Sequence, residues 1–237
     1  MPSVQHTRIL SIETSTEACS VALGMNGAVN EKFELAPRRH AELLLPMVRS
    51  VLAEADLPLN AVDAIAFGRG PGSFTSLRIG IGVVQGLAWG AELPVVPVSS
   101  LAALAQTAYE QEPGTEISRI HAAVDARMQE VYYAEFETDV EGLVRPLSAE
   151  QVCPPMSIRV AESQDIHGMS LGAGNGFRNY PELDRLRASL TLCLPDCWPR
   201  AGAVCRLAAA WLEHNKPLPA AQAQPVYIRD KVAEKPT

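Results

Sequence analysis

The residues best suited to chemistry are two carboxylates at apparent strand ends and two glycine-rich loops. Glu13 closes the run RILSIETS from Arg8 to Ser15, followed at once by Thr14 and Ser15, and Asp125 closes RIHAAVDAR from Arg119 to Arg127. Both runs have the length and apolarity of buried strands, so each would deliver one carboxylate to a strand end. The first glycine loop, GRGPG at residues 68–72, forbids regular structure and feeds a helix that Ser73 or Thr75 can cap. The free N–H groups at such a helix start suit an anion. No Gly-Lys-Ser/Thr follows, so the loop is not a P-loop. The second, MSLGAGNGF from Met169 to Phe177, is a short strand entering Gly-x-Gly-x-Gly without dinucleotide-fold spacing. It is either a plain turn or, through Gly172 and Gly174, a surface on which a purine ring could lie.

Other candidate groups are weaker. His40, near a helix start, could be a ligand or a base, or could be structural. Arg38 and Arg39 beside it fit a solvated face. Cys19, Cys153, Cys193, Cys197 and Cys205 form no CxxC pair and read as reduced thiols. Pro195 between Cys193 and Cys197, with no second pair, argues against zinc. No set of residues meets the geometric roles of an active site, so no metal centre is expected. A net charge of −7, with 47% hydrophobic and 20% charged residues, describes a globular chain that does not bind nucleic acid by itself. The N-terminus lacks a cationic stretch followed by an apolar one, and a cytoplasmic protein away from membranes is the expectation.

The elements that must position these groups follow in order. Ala18 to Leu35 alternates around Asn26-Gly27, predicting three antiparallel strands with the first run. Arg38 to Glu54 predicts a helix with Leu44, Met47, Val48, Val51 and Leu52 on one face, and Pro46 inside it predicts a kink or a late start to the regular part. Val62 to Phe67 reads as a strand, Leu93 to Ser100 as an edge strand with two prolines, and Leu101 to Glu110 as a helix. After the breaker at Gln111 to Thr115 the pattern restarts: a strand ending at Asp125, a second at Glu130 to Glu137, a turn, and a return at Leu143 to Leu147. The repeated order predicts two related lobes meeting at a cleft lined near Glu13 and Asp125. Residues 1–100 form the first lobe, 101–200 the second, 201–216 a closing helix packed back on the first, and 217–237 a tail whose Pro225 to Lys235 stretch could dock.

The helix after the first glycine loop points to contact. From Ile79 to Ala91 only Gln85 is polar, and Gly82, Gly86 and Gly90 recur along one stripe. Each interior glycine costs roughly 0.5–1 kcal/mol relative to alanine. A second helix at backbone distance would offset that, whether within the chain or across a subunit interface.

At IETS (12–15), RHAELLLP (39–46), GPGSFTSLRIG (70–80), DARM (125–128) and PVYIR (225–229) the sequence closely resembles the bacterial TsaB/YeaZ family. The motifs occur in the family's order across nearly the whole chain. It departs at Ala41 and Ser76, where the family usually has Ser and Gly. The resemblance implies an α/β, two-lobed actin/Hsp70/sugar-kinase-like (ASKHA) fold, each lobe a mixed sheet with flanking helices. It also implies a role in forming N6-threonylcarbamoyladenosine at position 37 of tRNAs that read ANN codons. There the family is the noncatalytic partner of a larger paralogue, TsaD, with an ATPase, TsaE, binding the pair. Where the paralogue has two metal-binding histidines this chain has Ser100 and Leu104, and serine is a poor transition-metal ligand while leucine is none.

The expected partner or dimer face comprises His40, Leu44, Met47, Val48, Val51, Leu77, Ile81, Gly82, Gln85, Gly86 and Trp89. It would serve the TsaD-like heterodimer, and a homodimer when the chain is alone, with tRNA reached only through the complex. A degenerate nucleotide cleft is expected at Glu13, Thr14, Ser15, Asp125, Arg127, Gly172 and Gly174, where ASKHA enzymes hold magnesium and phosphate. No cofactor is expected to bind tightly; weak ATP or ADP binding would fall at the complex interface. The competing reading is a nucleotide hydrolase or peptidase, with Glu13 or Asp125 holding magnesium or His40 acting as base. A sugar or acetate kinase would need an Asp-x-Gly phosphate loop that Glu13-Thr14-Ser15 does not supply.

Overall fold

The computed structural model describes residues 7–158 and 168–229. The first run is strand β1 (Ile9–Glu13), paired antiparallel with β2 (Ala18–Met25), which pairs antiparallel with β3 (Ala28–Leu35). The β2–β3 turn places Asn26 at φ 53° and Gly27 at φ 78°, the left-handed pair that a two-residue hairpin requires and that these residue types tolerate. Helix α1 (His40–Glu54) leads to β4 (Ala64–Gly68), then α2 (Phe74–Gly90) and β5 (Val95–Val98). The sheet order is β3-β2-β1-β4-β5, with β4 and β5 parallel to β1.

Helix α3 (Ser100–Glu110), capped by Ser99 Oγ accepting the Ala102 N–H at 3.1 Å, crosses to the second sheet. That sheet contains β6 (Ile117–Arg127), β7 (Glu130–Thr138), β8 (Val144–Pro146), β9 (Gln151–Cys153), β10 (Met169–Ala173) and β11 (Leu192–Leu194). Its order, β11-β10-β6-β7-β8, with β9 also on β7, repeats the first: an antiparallel meander on one flank of the leading strand and two parallel strands on the other. Short helices α4 (Gly176–Asn179) and α5 (Asp184–Ser189) join β10 to β11, and α6 (Ala201–His214) follows.

Both faces of the first sheet are covered, which is why β1 and β4 read as continuous apolar runs. Leu10 and Ile12 turn to one face, where Leu44, Val48 and Val51 of α1 pack with Ile81, Val84 and Ala88 of α2. Ile9 turns to the other, against Ala203, Val204, Cys205 and Ala208 of α6. Helix α6 is keyed in by hydrogen bonds: the Ser11 hydroxyl donates to Ala201 O at 2.8 Å and the Ala201 N–H donates to Ser20 Oγ at 2.9 Å. Beyond it, Leu218 exchanges backbone hydrogen bonds with Val95, occupying part of the β5 edge. Helix α3 packs Leu101, Leu104, Ala105 and Ala108 on the second sheet and Ala103 toward the first-sheet cluster around α6.

Two local differences from the sequence reading have simple causes. Helix α1 begins at His40 rather than Arg38, because Arg38 sits at φ 65° in the left-handed region. Pro46 neither delays nor ends α1, which runs through it, and Pro46 lies on the exposed side. Residues 230–237 of the expected tail lie outside the described residues.

Candidate functional site

A cleft of about 1090 Å³ opens between the lobes. Its walls are the loop after β1, the loop before α1, the first turn of α2, the end of β6 with the left-handed turn that follows, Asn175, and the segment Val226–Arg229. That turn holds Arg127, Met128 and Gln129 at φ 63°, 55° and 60°.

The carboxylate at the end of β1 does not line this cleft. Glu13 is fully buried behind it: Oε1 accepts the Ser15 N–H at 2.5 Å and Oε2 accepts the Ser100 hydroxyl at 2.9 Å. Burial pushes its pKa above the usual carboxylate range, although hydrogen bonds from Ser15 and Ser100 oppose the shift. Gly68 must be glycine here, since a Cβ would collide with Glu13 Oε2. Thr14 is also buried, its hydroxyl donating to Ser76 O at 3.0 Å under the first turn of α2. Of the first-lobe trio only Ser15 lines the cleft, because the chain turns sharply after Glu13 to place Thr14 beneath α2.

Asp125 does line it, with its oxygens already engaged. Oδ1 accepts the Tyr180 hydroxyl at 2.7 Å and the Arg127 N–H at 2.7 Å, while Oδ2 accepts from Arg127 at 3.1 Å and from Asn179 at 3.2 Å. Arg127 also reaches Glu17 across the cleft at 3.8 Å. The expected purine surface is not open. A Cβ at Gly172 would meet Leu190 at 2.5 Å and Phe177 at 3.0 Å, and one at Gly174 would strike Ala123 O. The glycines let the β10–α4 loop close on its own sheet rather than on a ligand.

The two interface helices separate into buried and bare faces. Leu44, Val48, Val51, Leu77 and Ile81 are in the core, and Met47 is half-buried against it. A side chain sealed beneath its own helix cannot reach another chain, so the apolar face of α1 belongs to the fold. His40 is likewise internal, 2% exposed, with Nε2 3.2 Å from Ala18 O. Gly82, Gly86 and Gly90 face open space: a Cβ at any of them would meet nothing within 4 Å. Trp89 is 70% exposed beside them, and Gln85 donates to Ala223 O at 2.7 Å.

The family model described as TsaD: tRNA N6-adenosine threonylcarbamoyltransferase matches residues 32–167. A protein of Escherichia coli named tRNA threonylcarbamoyladenosine biosynthesis protein TsaB is 41% identical over 96% of this chain and 97% of its own length. A Haemophilus influenzae protein of the same name is 38% identical over 98% of both. This chain belongs to the TsaB/YeaZ family. The solved YeaZ from Pseudomonas aeruginosa superposes with TM-score 0.84 at 44% identity, covering 93% of this chain and 99% of that one. The fold is accordingly the two-lobed ASKHA type, each lobe a mixed sheet with flanking helices.

In this TsaB-family chain the stretch compared with the paralogue's histidines has a structural use. Ser100 is 2% exposed and bridges Glu13 and the Gly70 N–H, while Leu104 is fully buried in the core on the second sheet. Among the described residues no group of three or more His, Cys, Asp and Glu could hold a metal ion, and no helix is long and apolar enough to cross a membrane. The departure at Ser76 adds an exposed hydroxyl pair, Ser73 Oγ to Ser76 Oγ at 3.0 Å.

The sequence reading missed a cluster at the cleft mouth. Tyr227 lies with its ring centroid 5.3 Å from that of Phe74, Arg78 stacks over Phe74 at 3.8 Å, and Arg78 Nε donates to the Tyr227 hydroxyl at 2.9 Å. The i, i+4 spacing of Phe74 and Arg78 was a usable signal. Their partner 149 positions later was not.

Proposed function

We propose that this chain is a noncatalytic subunit of the bacterial assembly that forms N6-threonylcarbamoyladenosine at position 37 of tRNAs reading ANN codons. In that role it binds a TsaD-like paralogue and stabilises or activates it, together with a TsaE-like ATPase. It self-associates through the same face when alone and reaches tRNA only through the complex, in keeping with its net charge of −7. A cytoplasmic location fits that work.

The observation that carries this reading is the bare glycine stripe of α2. Three exposed glycines within one helix cost roughly 0.5–1 kcal/mol each relative to alanine, and nothing among the described residues covers them. A second helix could approach there to backbone distance, with Trp89 as an aromatic anchor at the edge. The noncatalytic part is supported by the carboxylates, since Glu13 is sealed and Asp125 is engaged by four donors. Any ATP or ADP would then bind weakly, at the junction with the partner.

The test is threonylcarbamoyl transfer to tRNA with purified components: this chain alone, the paralogue with the ATPase, and all three. Activity confined to the complete mixture, lost with Gly86→Leu while circular dichroism stays unchanged and melting does not fall, is the expected result. Transfer by this chain alone, or full association of Gly86→Leu with the paralogue, overturns the reading.

A further inference from the structure

We propose that the segment Val226–Arg229 is the arm of an interlobe clasp. Seated on the first lobe, it grips the β7–β9 flank of the second through Arg229, beside a matching grip by Arg69, and so sets the angle between the lobes and the width of the cleft. This device goes beyond the scaffold reading and does not depend on it.

The segment is fixed to the first lobe over several residues. Ala223 is fully buried in the first-lobe core, and its carbonyl accepts the Gln85 side-chain amide at 2.7 Å. The Val226 N–H donates to Arg69 O at 2.8 Å in the loop after β4, and the Val226 carbonyl lies so near Gly70 that a Cβ there would meet it at 3.1 Å. Tyr227 is held on α2, its hydroxyl accepting from Arg78 and its ring against Phe74. Two residues later the contacts have changed lobe: Arg229 Nη2 donates to Glu130 Oε2 at 2.6 Å, at the start of β7. Arg69 makes the same crossing from its own loop, with Nη2 3.3 and 3.2 Å from the two carboxylate oxygens of Glu150, just before β9. Because β9 pairs with β7, the two glutamates lie on one flank of the second sheet. Because Val226 is bonded to Arg69, the two arginines act from one base.

The chain itself joins the lobes at α3 and again where β11 leads to α6, and no residue of either helix lines the cleft. The clasp stands at the cleft, where it restrains a rotation that the two connections would allow. Its ion pairs are shielded, with the Arg229 side chain 16% exposed and that of Glu150 15%, so salt screens them less than a pair in open solvent. The other pair across the cleft, Arg127 with Glu17, is long at 3.8 Å and largely exposed, and adds little. The same grip holds a strained turn. Arg127, Met128 and Gln129 are left-handed in succession, a conformation that residues with side chains adopt singly rather than in runs. Asp125 fixes the turn from within the second lobe through the Arg127 N–H, while Arg229 reaches Arg127 O at 3.4 Å and Met128 Sδ at 3.1 Å. Strain of this kind persists only where the surroundings over-determine it, and here one of those surroundings is anchored on the other lobe. Release of the clasp therefore frees the lobe angle and the turn together.

The experiment measures residual dipolar couplings of the full chain by NMR, fitting the two lobes separately, in the parent, in Arg69→Ala with Arg229→Ala, and in Arg145→Ala. The last removes an exposed ion pair with Asp139 that lies wholly within the second lobe. In the parent and in Arg145→Ala both lobes should share one alignment. In the double variant the common alignment should be lost, with the Arg127 to Gln129 signals moving away from left-handed values while couplings within each lobe still fit its own structure. Glu130→Gln with Glu150→Gln removes the same charges from the other side with little change of shape, and should loosen the lobes in the same way should the arginine variant not fold. A single alignment kept in either double variant overturns the clasp, as does an equal loss in Arg145→Ala. Lobes that reorient while the turn signals stay in place overturn the coupling of the turn to the lobe angle.

Discussion

Ser100 donates its hydroxyl hydrogen to Glu13 Oε2 at 2.9 Å while its oxygen receives the Gly70 N–H at 3.2 Å, so the first residue of α3 ties the end of β1 to the loop after β4. Every group in this small network is buried, and each hydrogen bond occupies a position that water cannot reach.

Removing the hydroxyl should therefore cost more than one hydrogen bond. Ser100→Ala leaves both a buried carboxylate oxygen and the Gly70 N–H without a partner, and a loss of about 1–3 kcal/mol in unfolding free energy is expected by urea titration. A loss below a few tenths would mean that the network is not closed in solution.

Glu13 also sets a pH dependence. Its folded-state pKa is raised, chiefly by burial, so the native state holds the proton more tightly than the unfolded chain. The stabilisation is complete below the ordinary carboxylate range and is lost as pH rises through the folded value. Glu13→Gln, which cannot ionise, should gain stability relative to the parent as pH is raised from about 4.5 to about 8. Melting temperatures that differ by a constant amount across that range would contradict the assignment.

His121 works in the opposite sense. Its Nδ1 lies 2.7 Å from the Tyr133 hydroxyl, which donates to Glu135 at 3.0 Å, so His121 must be the donor to Tyr133. Burial holds its pKa below the usual imidazole value, outweighing Glu135. A lowered folded-state pKa gives stability that is whole above the ordinary imidazole range and drains away as pH falls. Between about pH 7 and about pH 5 the parent should lose stability more steeply than His121→Gln, as followed by thermal melting.

Glycines on α2 should respond to alanine with opposite signs. Gly82→Ala and Gly86→Ala add a methyl group in open space and should stabilise the isolated chain by roughly 0.5–1 kcal/mol each. Gly80→Ala drives a Cβ into Thr14 Oγ1 and should destabilise by about 1–3 kcal/mol. The same sign at positions 80 and 86 would refute the division of α2 into an inner and an outer face.

Much of the fold was legible because local and global signals agree. The Asn26-Gly27 turn, the alternation in β2, the glycine loop before α2 and the repeated strand order each belong to one short window, and short windows are what periodicity reports. The site was less legible for two reasons. Amphipathicity shows that α1 has an apolar face but not whether it meets its own sheet or another chain; Leu44, Val48 and Val51 meet the sheet. Glycine patterns show close approach without naming the neighbour, and at Gly174 the neighbour is Ala123 O rather than a ring. The cleft wall made by Tyr227 and Phe74 depends on a contact across most of the chain, for which one sequence carries no local signal.

The packing of α6 on the back of β1 has a consequence for synthesis. The first sheet is continuous in sequence from Ile9 to Val98, yet among the described residues its second face is covered mainly by residues 201–214, with Ala103 of α3, and part of the edge of β5 by Leu218. A ribosome that has made the first hundred residues has thus produced a sheet with one apolar side bare. Ile9, Ala64, Ala66 and Val96 wait for another hundred residues before their cover emerges. The first lobe to be translated is the last to be finished, and a nascent chain stalled before Ala201 would present that bare side to chaperones and to other nascent chains.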